Sequence, residues 1–133
     1  MSIGRREIFA LHILILLFIF TFRNQFLADA WLSIASSLIT IPGLLIVITG
    51  AITLDKAKNL ATNGIYSRIR HPIYYGRILF FIGIALFLKS IYGLVLTLLV
   101  ILPLHIHIIR EEEKLLAGKY GKKYNRYKKQ TLF

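Results

Sequence analysis

The chain has 133 residues, enough for one domain, and 56% of them are hydrophobic against about 45–50% in a soluble domain. It carries a formal net charge of +11 and no cysteine, which excludes disulfides, thiolate nucleophiles and Cys-ligated metals. Such charge on a soluble domain would point to nucleic acid, but long apolar runs direct it to anionic lipid headgroups, so membrane lipids and not nucleic acid are the expected partners.

The first apolar run, residues 8–22, follows Arg5 and Arg6. Phe20, Phe22, Arg23 and Asn24 stand where a leader peptide would need small residues, so the run is read as a retained helix. It is short for a span and relies on Arg5, Arg6 and Arg23 reaching outward. A turn with Asn24, Gln25 and Asp29 follows, with Trp31 at the place of an interfacial aromatic. Between Asp29 and Asp55 lie 25 residues without a formal charge. That length matches a bilayer core of ~30 Å and predicts a second span over residues 31–53, kinked at Pro42-Gly43.

The central loop, 55–72, is different in kind. Asn63-Gly64 signals a turn, and Pro72 pushes His71 out of helix while suiting the first turn of a helix itself. A third span is predicted over 73–88 and a fourth over 91–109, forming a tight antiparallel hairpin. The fourth contains His105 and His107, which face different sides and make no metal pair. His12 reads as a packing residue of the first helix. Residues 110–133 form a charged tail in which Tyr120, Tyr124 and Tyr127 recur at one-face helical spacing, predicting an amphipathic helix at the membrane surface.

The fold class expected is therefore all-α, integral to the membrane, with about four spans and an interfacial tail helix. Four spans put fifteen of the 17 Lys and Arg on one side, leaving Arg23 and Lys89 on the other. The positive-inside rule then makes the protein multi-pass with both termini cytoplasmic.

Two clusters carry chemistry. The loop offers Tyr66, Arg70, His71 and Tyr74, donors and aromatic faces around Gly76, where backbone or ligand can come close. Arg110-Glu111-Glu112-Glu113 holds half of the six acidic residues at the end of the fourth span. Read blandly, these are a headgroup-binding loop and a solvated charge run.

The blocks Gly64-x-Tyr66, Arg70-His71-Pro72-x-Tyr74-x-Gly76, Glu112-Glu113-x-x-Leu116 and Tyr120-Gly121-x-x-Tyr124-x-x-Tyr127, in this order, resemble the isoprenylcysteine carboxyl methyltransferase family and its wider group, which includes phospholipid methyltransferases. The resemblance covers about residues 60–129. It implies a single membrane methyltransferase domain over 1–133 that holds S-adenosylmethionine in a cytoplasmic pocket between loop and tail. By position, Tyr66, His71, Pro72, Ile73, Tyr74 and Glu112 would contact this cofactor, and Lys58, Asn59, Leu60 and Ala61 would line its adenosine. Family members often place an arginine shortly before the glutamate pair to orient a substrate carboxylate. Here the position one turn before Glu112 is Ile108, and Arg110 lies about 200° around the helix from Glu112. Arg110 is taken as the acceptor-anion residue for want of a nearer one, with His105 as an alternative polar group.

The expected function is methyl transfer to a lipidic or prenylated acceptor that enters from the bilayer, with carboxyl O-methylation favoured. Alternatives are a phospholipid N-methyltransferase, a relative of NADPH-dependent sterol-type membrane reductases, and a non-catalytic scaffold in which Glu112 and His71 have no special role. No metal is expected.

Overall fold

The computed structural model describes residues 5–24, 30–57 and 59–132. The side chain of Arg5, the turn residues Gln25 and Asp29, and Lys58 lie outside this set. Helix α1 spans Arg5–Thr21, α2 Ala30–Lys56 and α3 Pro72–Phe87. Helix α4 runs without a break from Ile91 to Tyr120, and α5 spans Lys122–Gln130. A 3-10 turn, Gly64–Ser67, interrupts the central loop where the Asn63-Gly64 signal predicts a turn. Among the described residues there is no strand, only one isolated parallel bridge between Ile69 and Leu132. The architecture is all-α, as expected.

Two helices, Trp31–Lys56 and Ile91–Tyr120, are long and apolar enough to cross a bilayer. Their most apolar stretches are only 11% and 22% buried within the molecule. A core helix of a soluble protein would be covered. Here Trp31, Ile34, Leu38, Ile41 and Leu45 on α2 and Leu99 on α4 point outward, which suits a hydrocarbon environment. Helices α1 and α3 have 17 and 16 residues, ~25 Å of helix each, shorter than a bilayer core.

Glycines set the closest packing. A Cβ on Gly43 would lie 2.7 Å from the backbone nitrogen of Phe80, and one on Gly76 would lie 2.8 Å from the carbonyl of Gly43. Helices α2 and α3 therefore touch backbone to backbone, the small-residue packing that membrane helices favour. The close approach expected at Gly76 is thus to another helix. Pro42 sits one residue away inside a continuous α2. The hydrophobic core lies between α1, α3 and α4, where Ile15, Ile19, Ile78, Phe81, Ala85 and Ile101 are buried together.

The connection after α3 is tight. Lys89 adopts φ 54°, Ser90 N–H reaches the carbonyl of Ala85, and the Ser90 hydroxyl caps α4 by accepting from Gly93 N–H at 3.1 Å. Within α4, residues Thr97–Ile101 form a π turn. Pro103 follows it, and the π turn accommodates a residue that cannot donate to the carbonyl four places back. The charged end of α4 continues as helix well past 109, the expected end of the span. It stops at Gly121, whose φ of +50° and ψ of −122° suit glycine alone. The tail is therefore not one amphipathic helix. It is the extension of α4 plus a nine-residue α5 that folds back over the loop.

Candidate functional site

His71 stands just before α3 with φ −125° and ψ 55°, out of helix as Pro72 requires. Pro72 opens α3 and is fully buried against α2. It fixes His71 in place, and it is not among the residues that line the site. From the other side, the end of α4 brings Glu112 and Glu113 to the same imidazole. Nδ1 lies 3.5 Å from Glu112 Oε2, and Nε2 lies 3.6 Å from Glu113 Oε1. These are ion-pair distances, too long for good hydrogen bonds. Loop and glutamate pair, more than 40 positions apart in sequence, thus meet directly.

The tail locks the arrangement. Arg70 Nε donates to Glu113 Oε1 at 3.1 Å, and its Nη1 donates to the carbonyls of Lys128 and Thr131. Lys128 Nζ donates to Glu113 Oε2 at 2.6 Å. Leu132 N–H bonds the carbonyl of Arg68. Tyr127 donates its hydroxyl to the carbonyl of Tyr66 at 2.6 Å, in a buried contact. Tyr124 and Tyr127 are buried against the protein, so the aromatic face of the tail packs on the loop. Tyr120 lies across the Gly121 break and joins them at the cavity.

Burial, and then the Glu112 charge, push the Tyr66 phenol well above its ordinary range. Burial, then Glu113, raise Tyr124 to about 12. Burial also raises Tyr127. All three remain neutral hydrogen-bonding groups. Glu113 is the reverse. Burial pushes it upward, but Lys128, Arg70 and His71 outweigh that and hold it below the usual carboxylate range.

Together these elements line a partly open cavity of about 920 Å³, at the upper end of the ~300–1,000 Å³ of small-molecule sites. Of the residues expected at the cofactor, Asn59, Leu60, Ala61, Tyr66, His71, Ile73, Tyr74 and Glu112 line it. Lys58 lies outside the described residues. Arg110 is placed elsewhere. It is exposed and borders a separate open depression with His107, Glu111 and Lys128, as its helical phase dictates. His105 is fully buried behind the cavity wall. Residues not singled out by motif also reach the cavity, among them His12, Arg77 and Lys119. Arg77 carried a usable signal, a lone charge inside the third apolar segment.

Among the described residues His71 Nε2, Glu112 Oε2 and Tyr124 Oη are buried without a hydrogen-bond partner. Glu112 is 39% exposed as a side chain, yet this oxygen is covered. Buried polar atoms are normally satisfied, so three such atoms at one cavity end mark a polar ligand's place. A carboxylate, an imidazole and several phenols suit a cationic, nucleoside-bearing molecule.

Long apolar helices and a partly open cavity with polar groups at one end describe a membrane-type protein with room for a small molecule. The phospholipid methyltransferase family matches residues 26–123, and the chain belongs to that family of membrane methyltransferases. No curated protein and no solved structure matches the chain.

Proposed function

We propose that the protein transfers a methyl group from S-adenosylmethionine to a lipidic acceptor at the cytoplasmic face of a membrane. The observation that carries this reading is the direct meeting of His71 and Glu112 at a cavity with orphaned polar atoms. The donor set fits the cofactor. Glu112 would hold its cationic, hydroxyl-bearing part, His71 and Tyr74 would shape the pocket, Tyr66 and Ile73 would flank it, and the backbone of Asn59–Ala61 would line the adenosine. S-adenosylmethionine, when bound, supplies a methyl group already activated on a sulfonium. The chain's task is then chiefly to position donor and acceptor and exclude water.

The exposed apolar faces of α1 and α2 support a bundle embedded in lipid, and the distribution of Lys and Arg is what favours four spans with both termini cytoplasmic. A carboxylate acceptor, the isoprenylcysteine-like reading, is already ionised at neutral pH and needs no base. The family match favours the second reading, a phospholipid amine, whose proton a group of the cavity would have to accept.

Calorimetric titration of the detergent-purified protein with S-adenosylmethionine, S-adenosylhomocysteine and NADPH tests the proposal. The first two should bind, and Glu112→Ala and His71→Ala should each weaken them at least about tenfold. NADPH binding alone would move the protein to the reductases, and the absence of all binding would leave a scaffold.

A further inference from the structure

We propose that Arg77, with His12 beside it on the cavity wall, forms an anion-docking subsite that holds the acidic head group of the lipid acceptor. The proposal rests on the methyltransferase reading and adds the residues that receive the second substrate.

Arg77 stands five residues into α3, ~7 Å along its axis. The cavity it lines is walled by apolar side chains from the same helices: Leu16 from α1, Leu44 and Val47 from α2, and Phe80 and Phe81 from α3 itself. A guanidinium keeps its charge there, so it needs a compensating partner. No ion pair among the described residues includes it. Its ring contact, with Tyr74 at 6.0 Å, is at the outer limit for a cation–π interaction.

Two imidazoles lie nearby, His12 on the cavity wall and His105 buried behind it. His12 of α1 and His105 of α4 meet edge to face with centroids 5.1 Å apart, and His105 lies 5.6 Å from Tyr74. Each Nδ1 donates to a carbonyl one turn back, Ile8 or Ile101, which fixes the proton on that nitrogen. Each Nε2 is therefore a lone-pair acceptor, buried and without a partner among the described residues. His105 is 0% exposed.

Helices α1 and α3 thus bring His12 and Arg77 to a cavity wall that also carries Leu16, Leu44, Phe80 and Phe81. Packing alone gains nothing from that, because unsatisfied polar groups are costly at membrane depth. The chemistry that satisfies them is an amphiphile. Its anionic oxygens meet Arg77, any N–H or O–H of its head group donates to the His12 imidazole, and its chain lies along Leu16, Leu44 and Phe9. A carboxylate and a phosphate ester share this chemistry.

Binding of oleyl phosphate, oleate, oleyl alcohol and inorganic phosphate in dodecyl maltoside, measured beside S-adenosylhomocysteine, tests the proposal. Oleyl phosphate or oleate, whichever head group the site prefers, should bind at least tenfold more tightly than the alcohol or free phosphate, which each lack one half of the ligand. Arg77→Gln should remove most of that preference, Arg77→Lys should restore part of it, and both should still bind S-adenosylhomocysteine. Should Arg77→Gln fail to fold, Arg77→Lys alone carries the test, with a several-fold loss of that preference expected. Wild-type anion preference in the variant, with S-adenosylhomocysteine still bound, overturns the subsite. Failure of the wild type to bind S-adenosylhomocysteine overturns the methyltransferase reading instead, and the lipid titrations then judge the subsite by themselves.

Discussion

Glu113 holds three basic groups at once: Arg70 and Lys128 by hydrogen bonds and His71 across 3.6 Å. Arg70 is mostly covered, so Arg70→Ala would leave Glu113 half compensated and free two tail carbonyls. It should cost roughly 2 kcal/mol of tail docking, read as faster hydrogen exchange across α5. The pH dependence follows in sign. Glu113 has a lowered pKa when docked, so acidification protonates the undocked state first, and docking is lost as pH falls through that lowered value. Tyr124, raised to about 12, acts at the other end, and docking is lost as pH climbs from ~10 through about 12. Near-ultraviolet circular dichroism of the tail tyrosines should be flat between these limits and collapse beyond both. At this scale, the resemblance pointed to Tyr66, His71, Tyr74 and Glu112, and these four line one cavity. Arg70 stood in the loop block and Arg77 as a lone charge in the third apolar segment, but that Arg70 binds the tail was not legible, since it depends on packing between distant segments. The helical phase of Arg110 did foretell that it turns away from Glu112.

Between elements, the α2–α3 contact leaves no room for side chains at Gly43 and Gly76. Gly43→Ala meets backbone atoms of α3, which cannot swing aside. It should destabilise the protein by on the order of 1–3 kcal/mol, seen as a lower thermal midpoint in detergent. Gly121→Ala tests another property, because open space surrounds Gly121 and only its positive φ is at stake. About 1 kcal/mol of strain at the α4–α5 corner should loosen α5 while the spans stay intact. Long apolar runs gave the helices away at once. The break at Gly121 was masked by the one-face spacing of Tyr120, Tyr124 and Tyr127, which describes a single helix as well as two helices closing on one loop. Nothing local announces the π turn at Thr97–Ile101 except Pro103 just after it.

Taken whole, the molecule has an apolar bundle and one polar end where loop, α4 and α5 converge. Chain hydropathy and the distribution of Lys and Arg foretell that division, because both are set by the solvent each segment must meet. Folding of the tail onto the loop is non-local, and no window of sequence contains it. The absence of cysteine makes the proposed topology directly testable. With four spans, Asn63→Cys should react with an impermeant maleimide only after cells are opened, and Lys89→Cys should react in intact cells. The reverse pattern would invert the orientation, and equal labelling of both would refute the span count.

The account stands most squarely on one small molecule touching both halves of the polar end. Hydrogen exchange during a titration with S-adenosylhomocysteine measures this. Residues 59–74 and 112–127 should gain protection together, with a single midpoint, and lose that response together in Glu112→Ala. Protection confined to one segment, or none in either at saturating ligand, would contradict it.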